Sequence, residues 1–271
     1  HIFAETYIND NFEGARYHFI FFHSLFTYHK SFDAIINELY NKFGDSIQIS
    51  LWDLYGHGKS GGERSWIDSY DTYSQDSVEF LKKISLFTQK NDKIYFIGSG
   101  YGATLILDLM INHSHLIPFK IQGSIYVNPL LRVSFGLEQW TAKITRSFLS
   151  LSKLSIPLFF NARDLSHDEE FIHKYESDLL NNKFLTIGIA NQMMIHLKKI
   201  RSLFSFYRLP SIVFLSKESK MNDIATAEYF FKESDEKISL HYYPTSEYDL
   251  FNSSFRDDVY ESISSWIKGL R

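Results

Sequence analysis

The stretch of this chain that invites covalent chemistry is Ile94-Tyr95-Phe96-Ile97-Gly98-Ser99-Gly100-Tyr101-Gly102-Ala103, which has the form of an apolar strand, a glycine turn and a helix start. That is the context of a G-x-S-x-G nucleophile elbow, where the central residue is thrust from a sharp turn to attack an acyl carbon. The outer glycines of such a turn let strand and helix approach closely. Gly98 and Gly102 take those outer places and Gly100 takes the centre, so the hydroxyl is missing where a nucleophile would stand. Ser99 is one residue early, and its side chain should leave the turn in another direction. Read alone, the stretch suits a plain strand–turn–helix junction equally well.

The elements around this turn alternate. Short apolar runs at Tyr17–Phe22, Ile47–Trp52, Lys93–Ile97, Ser124–Val127, Ser211–Leu215 and Ile238–Tyr243 read as strands. Near-continuous apolar strands are expected in a parallel sheet covered by helices on both faces. Ser31–Phe43, Ser69–Gln89, Gly102–Ile111 and Ser254–Lys268 read as helices, the second carrying Phe80, Ile84 and Phe87 at helical spacing. From about Leu131 to Tyr207 the rhythm breaks. No convincing strand is visible there, several segments such as Phe184–Leu203 are amphipathic, and the stretch reads as a helical insertion before the sheet resumes at Pro210. The division is then a core of residues 1–130 and 208–271 with an insertion of 131–207.

Composition bounds the answer. With 271 residues, 44% of them hydrophobic, 25 Phe and 17 Tyr, the chain has ample material for one large core. A net charge of -4 argues against nucleic acid or an anionic membrane as partner. No run approaches the roughly 18 apolar residues of a membrane span. The chain has no Cys, which rules out disulfides and thiolate metal sites but fits cytosol and secretion equally. It opens on His1 rather than Met, which is read as removal of an upstream segment. The compartment is left unassigned, cytoplasmic by default.

The run Asp53-Leu54-Tyr55-Gly56-His57-Gly58-Lys59-Ser60-Gly61-Gly62-Glu63-Arg64 strongly resembles the D-x-x-G-H-G-x-S-x-G loop of the monoglyceride lipase and lysophospholipase branch of the α/β-hydrolases, the group of the serine aminopeptidase-like (S33) hydrolases. Ser69-Tyr70 and Asp76 continue the likeness. Leu165-Ser166-His167-Asp168 and Asp178-Leu179-Leu180 resemble that branch's L-S-x-D and D-P-L cap signatures, and Asn128-Pro129-Leu130 its S-P-L turn. The resemblance implies an α/β-hydrolase fold, with a mostly parallel central sheet flanked by helices and a helical cap at 131–207. It also implies a Ser–His–Asp triad and a backbone oxyanion hole for hydrolysing acyl esters.

Carried over residue by residue, the triad is degenerate. The nucleophile falls on Gly100. The acid falls on Ser219, whose hydroxyl cannot supply the negative charge that stabilises an imidazolium. The histidine falls on Tyr248, a poor general base at neutral pH, and no His follows His241. The oxyanion loop falls on Phe22-His23-Ser24-Leu25, with Ser24 in a glycine's place and the N–H groups of Leu25 and Tyr101 as the two donors. A pocket between core and cap would be lined by His23, Ser24, Leu25, Gly100, Tyr101, Ser219 and Tyr248.

The remaining polar residues read as structural. Asp53, His57 and Ser60 are turn and hydrogen-bond residues, and His23 and His29 are packing residues near the pocket mouth. His113 and His115 form an H-x-H pair without nearby carboxylates or Cys, so no metal is expected, and no cofactor. Lys217–Lys220 is a solvated loop. Glu247 and Asp249 flank Tyr248 without the spacing of an acid–base pair. The expectation is a catalytically inactive hydrolase homologue that keeps its pocket or cap to bind a small hydrophobic or acyl ligand, or a protein partner through the cap. The alternatives are an ester hydrolase using relocated residues and a structural or interaction module of a larger protein.

Overall fold

A computed structural model describes residues 1–9, 12–134, 152–158, 160–234 and 237–270. Residues 135–151 and 159 of the expected insertion therefore lie outside the described residues. Among those described, a seven-stranded sheet dominates, with strand order β1-β3-β2-β4-β5-β8-β9. Its strands are β1 Ala4–Ile8, β2 Tyr17–Phe22, β3 Ile47–Trp52, β4 Lys93–Ser99, β5 Ile121–Val127, β8 Ser211–Ser216 and β9 Ile238–Tyr243. Every neighbouring pair is parallel except β1, which runs antiparallel to β3. This is the α/β-hydrolase architecture: a mostly parallel sheet with helices on both faces.

The period-two alternation of the strands sorts their side chains into two cores. Ile20, Phe22, Trp52, Phe96, Tyr126 and Val213 face one way, under α2 (Asp71–Ile84) and α3 (Tyr101–Asn112). Phe19, Phe21, Ile49, Tyr95, Ile97 and Phe214 face the other way, under α1 (Asp33–Phe43) and α8 (Arg256–Gly269). Helix α3 is buried from Tyr101 through Leu109, which accounts for its almost unbroken apolar sequence.

Between β5 and β8 the described residues form α4 (Ala162–Leu165), α5 (Glu169–Ser177) and α6 (Ile187–Arg201). Asn161, Asp168 and Thr186 cap them through their side chains. The insertion also contains strands, contrary to the reading of its sequence. β6 (Ser155–Pro157) pairs antiparallel with β7 (Phe184–Thr186), so the segment expected to be helical from Phe184 turns helical only after Thr186. A three-residue ladder closed across the insertion is set by long-range pairing, which no local period announces. Helix α7 (Ile224–Lys232) follows β8. Strand β1 was also not anticipated, since its five residues are all half-buried or exposed.

Candidate active site

Strand β4 ends at the elbow. Gly100 has φ +56° and ψ −119°, a conformation open to glycine and strained for other residues. Its N–H donates to the Val127 carbonyl at 3.0 Å, and its carbonyl accepts from Leu130 N at 3.1 Å, so the turn is stitched to the end of β5. At Gly102 a Cβ would overlap the carbonyls of Phe22 and His23, which explains a glycine where α3 meets β2.

A side chain at Gly100 would meet occupied space. Its Cβ would lie 2.6 Å from Ser24 Oγ and 2.7 Å from the Tyr248 hydroxyl. Gly100, Ser24 and Tyr248 are therefore brought together by three loops remote in sequence. Ser219 is not part of that meeting. It is half-buried, and its bonds are those of a local turn: its N–H donates to Ser216 O at 3.3 Å and its Oγ accepts from Met221 N at 3.3 Å. Leu25 and Tyr101 are packed into the core rather than lining open space.

Tyr248 is held by its backbone. Its N–H donates to Asp164 O at 2.9 Å, and the next N–H, of Asp249, donates to Leu165 O at 2.9 Å. The Tyr248 carbonyl accepts from Asn128 Nδ2 at 2.7 Å. Asn128, at φ +43°, also donates to Ser216 Oγ at 2.8 Å and accepts from Ser216 N at 2.8 Å, so one buried amide ties the ends of β5 and β8 to the Tyr248 loop. The buried Glu247 carboxylate fixes the other side of the loop, accepting from His167 N at 2.8 Å and Ser254 Oγ at 2.7 Å. Burial opposes its ionisation, but the Ser254 hydroxyl and these N–H groups win and hold it below the usual glutamate range. Burial pushes the Tyr248 phenol well up, helped by the neighbouring Asp249 carboxyl, so it is no base at neutral pH.

The histidines near the elbow are locked in place. His23 Nε2 accepts from Leu54 N at 2.9 Å, so Nδ1 carries the proton and donates to Ser24 O at 2.7 Å. Burial lowers its pKa, outweighing the Asp53 carboxylate that opposes this. His57 sits between the carbonyls of Tyr55 and Leu25, each 3.0 Å away, and burial pulls it down to about 3. Asp53 accepts from Lys59 N and His29 N at 2.8 Å each. Ser60 Oγ donates to the Asp53 carbonyl at 2.5 Å and accepts from Phe3 N at 2.9 Å. These contacts organise the 53–60 loop.

Two groups escaped the sequence reading. Tyr101, next to the elbow, puts its hydroxyl 2.7 Å from His196 Nδ1, and His196 Nε2 lies 3.5 Å from Asp108 Oδ2. All three are buried, Tyr70 stacks on His196, and the row joins α3 to α6. Its members lie up to 95 residues apart, so no local signal points to it. The same Asp108 stands 3.6 Å from His113 Nε2, which corrects the expectation that no carboxylate neighbours the H-x-H pair. The turn after α3 folds His113 back on that helix. Among the described residues no group of three or more His, Asp or Glu converges as metal ligands.

Among the described residues, the space left at the elbow is small. A cavity of about 10 Å³ is lined by residues that include Ser24, Thr27, Ser99, Leu165, Tyr248 and Asp249. That is room for about one water. Burial pushes Asp249, on its wall, up to about 6.

The family model for serine aminopeptidase S33 matches residues 14–254. The chain belongs to that family. Among named relatives it is 24% identical over 226 residues to a monoglyceride lipase homolog of Monkeypox virus, covering 82% of this chain and 79% of that one. Its fold superposes on a monoacylglycerol lipase of Paleococcus ferrophilus with a TM-score of 0.82 at 14% identity, all of both chains being covered. It superposes equally on a soluble variant of monoglyceride lipase from Saccharomyces cerevisiae in complex with a substrate analog, with a TM-score of 0.83 at 14% identity over 99% of this chain and 91% of that one. The serine aminopeptidase S33 family is thus represented here by a monoglyceride lipase-like scaffold whose elbow carries glycine.

Proposed function

We propose that this chain is a catalytically inactive member of the family, in which Gly100, Ser219 and Tyr248 stand at the triad positions and the fold is kept for binding. The observation that carries this reading is the occupied space at Gly100: Ser24 Oγ and the Tyr248 hydroxyl lie within 2.7 Å of where a nucleophile's Cβ would sit. A serine simply removed by substitution would leave a hole. Here two neighbouring loops fill the space with side chains, which fits a loss the whole site has adapted to. In a serine protease, removing the triad lowers turnover by roughly 10⁶-fold.

The roughly 10 Å³ left beside the elbow gives no room there for an acyl chain among the described residues. That favours binding at the surface, through the insertion, over an acyl ligand at the elbow. A groove of about 200 Å³ between residues 27–34 and α5 is one such surface, sharing Thr27 and Ser31 with the small cavity.

One observation favours a second reading, an ester hydrolase with relocated residues. Ser24 and Ser99 share a cavity with Asp249, whose carboxyl burial pushes up to about 6. No histidine lines that cavity, so neither hydroxyl has a base of the usual kind. The test is turnover of monoacylglycerols and short acyl esters. The inactive reading expects none above buffer; turnover abolished by Ser24→Ala or Ser99→Ala establishes the enzyme instead.

A further inference from the structure

One more histidine, His29, lies outside the elbow in the short helical turn ahead of α1, and its surroundings are those of a binding group. His29 is 97% buried, with 3% of its surface exposed. Its Nδ1 lies 2.9 Å from both carboxylate oxygens of the fully buried Asp53. Burial opposes ionisation of Asp53, yet the His29 hydrogen bond, the nearby His23 ring and the Lys59 N–H hold its carboxyl below the usual range. An ionised carboxylate only accepts, so Nδ1 is the donor and the ring's free valence is at Nε2. Nε2 has no hydrogen-bond partner among the described residues, and it is not one of the buried unpartnered atoms, so it reaches solvent.

It does so in a groove. A space of about 410 Å³ lies between β1, α1 and the 53–60 loop, with His29 on its wall. That volume suits a small organic molecule. Tyr7, Ile36, Tyr40 and Leu51 supply apolar and aromatic surface. Lys30 makes no ion pair among the described residues, and Lys59 stands 3.6 Å from Glu5 on the same wall. Asp33 is engaged by Lys174 at 3.8 Å. The titratable groups around the ring are therefore Asp53 and, across it, His23 beneath the ring, Tyr28 edge-on to it at 5.0 Å, and Glu5, Tyr7, Lys30, Asp33, Tyr40 and Lys59 around the groove. Stacking of the ring on Phe3 and the hydrogen bond to Asp53 account for its place in the fold, but neither uses Nε2.

We propose that this groove binds a small organic acid, a carboxylate or phosphate on an apolar body, with His29 as the group that meets the acid. The ligand enters as its anion and Nε2 takes up one proton from solvent, giving an imidazolium that donates to Asp53 through Nδ1 and to the anion through Nε2. Lys30 and Lys59 flank the anion, and Tyr7 and Tyr40 take the apolar body.

The experiment follows the ring nitrogens of ¹⁵N-histidine-labelled full chain by NMR while benzoate or phenyl phosphate is added at constant pH. The expected result is saturable movement of the His29 Nε2 signal from unprotonated to protonated, at roughly millimolar ligand or below. The signals of the enclosed His23 and His57 should stay still. The tighter of the two probes assigns the acid group as carboxylate or phosphate. Lys30→Gln combined with Lys59→Gln should weaken binding by about tenfold, while Lys59→Arg retains it. Absence of a saturable shift with both probes, or equal binding by the double lysine variant, overturns the proposal.

Discussion

Replacing Gly100 by alanine tests the packed elbow without adding any chemistry. Two costs follow from the geometry. A Cβ at φ +56° costs on the order of 1–3 kcal/mol in backbone strain. Contacts of 2.6 Å to Ser24 Oγ and 2.7 Å to the Tyr248 hydroxyl are overpacking, which costs about 1–3 kcal/mol more. The sum, roughly 2–6 kcal/mol, should lower the melting temperature by about 4–11 °C for a chain of this size. Ser24→Gly provides the control. Ser24 Oγ is buried without a partner, so its loss from the native protein should be nearly neutral. In the Gly100→Ala background it removes the closest contact and should recover about 1–2 kcal/mol. Thermal unfolding of the four proteins of this double-mutant cycle is the assay. A Gly100→Ala protein melting within about a degree of the native one, or strict additivity with Ser24→Gly, would refute the reasoning.

Three further outcomes are expected. Burial raises Asp249 from an ordinary 3.8 to about 6, so its contribution to stability is whole below pH 3.8 and is lost as pH rises to about 6, a loss on the order of 3 kcal/mol. Asp249→Asn should flatten that part of the stability–pH curve, measured by urea unfolding across the range. Glu247→Gln removes the charged acceptor of the Ser254 and His167 donors and should cost about 2–3 kcal/mol at neutral pH in the same assay. Asn128→Ala orphans the Ser216 N–H and the Tyr248 carbonyl at a positive-φ position, and should lower stability by about 3 kcal/mol, read by calorimetry.

The sheet was largely legible because its strands are short apolar runs, the central ones buried on both faces. The apolar runs at Tyr17–Phe22, Ile47–Trp52 and Ile238–Tyr243 coincide with β2, β3 and β9 residue for residue. What stayed hidden is what long-range pairing decides. β1 is half-buried or exposed throughout with no regular alternation, and β6 and β7 are three residues each, too short to show a period. At the elbow, the turn and its glycines could be read from spacing. The meeting of Ser24, Gly100 and Tyr248 could be expected only through resemblance to a family. Asn128, Glu247, His196 and the Asp53–His29 pair act through partners brought close by the sheet and its loops, and a linear pattern carries no trace of that. His29 shows this most plainly: the sequence suggests a packing residue, and only the structure reveals a ring nitrogen open to a groove.

The most direct test of the inactive reading is the intact mass of the native protein after prolonged exposure to a serine-reactive fluorophosphonate. The account predicts an unmodified mass, with a catalytically competent serine hydrolase labelled in parallel. A single stoichiometric adduct mapped to Ser24 or Ser99 would contradict it.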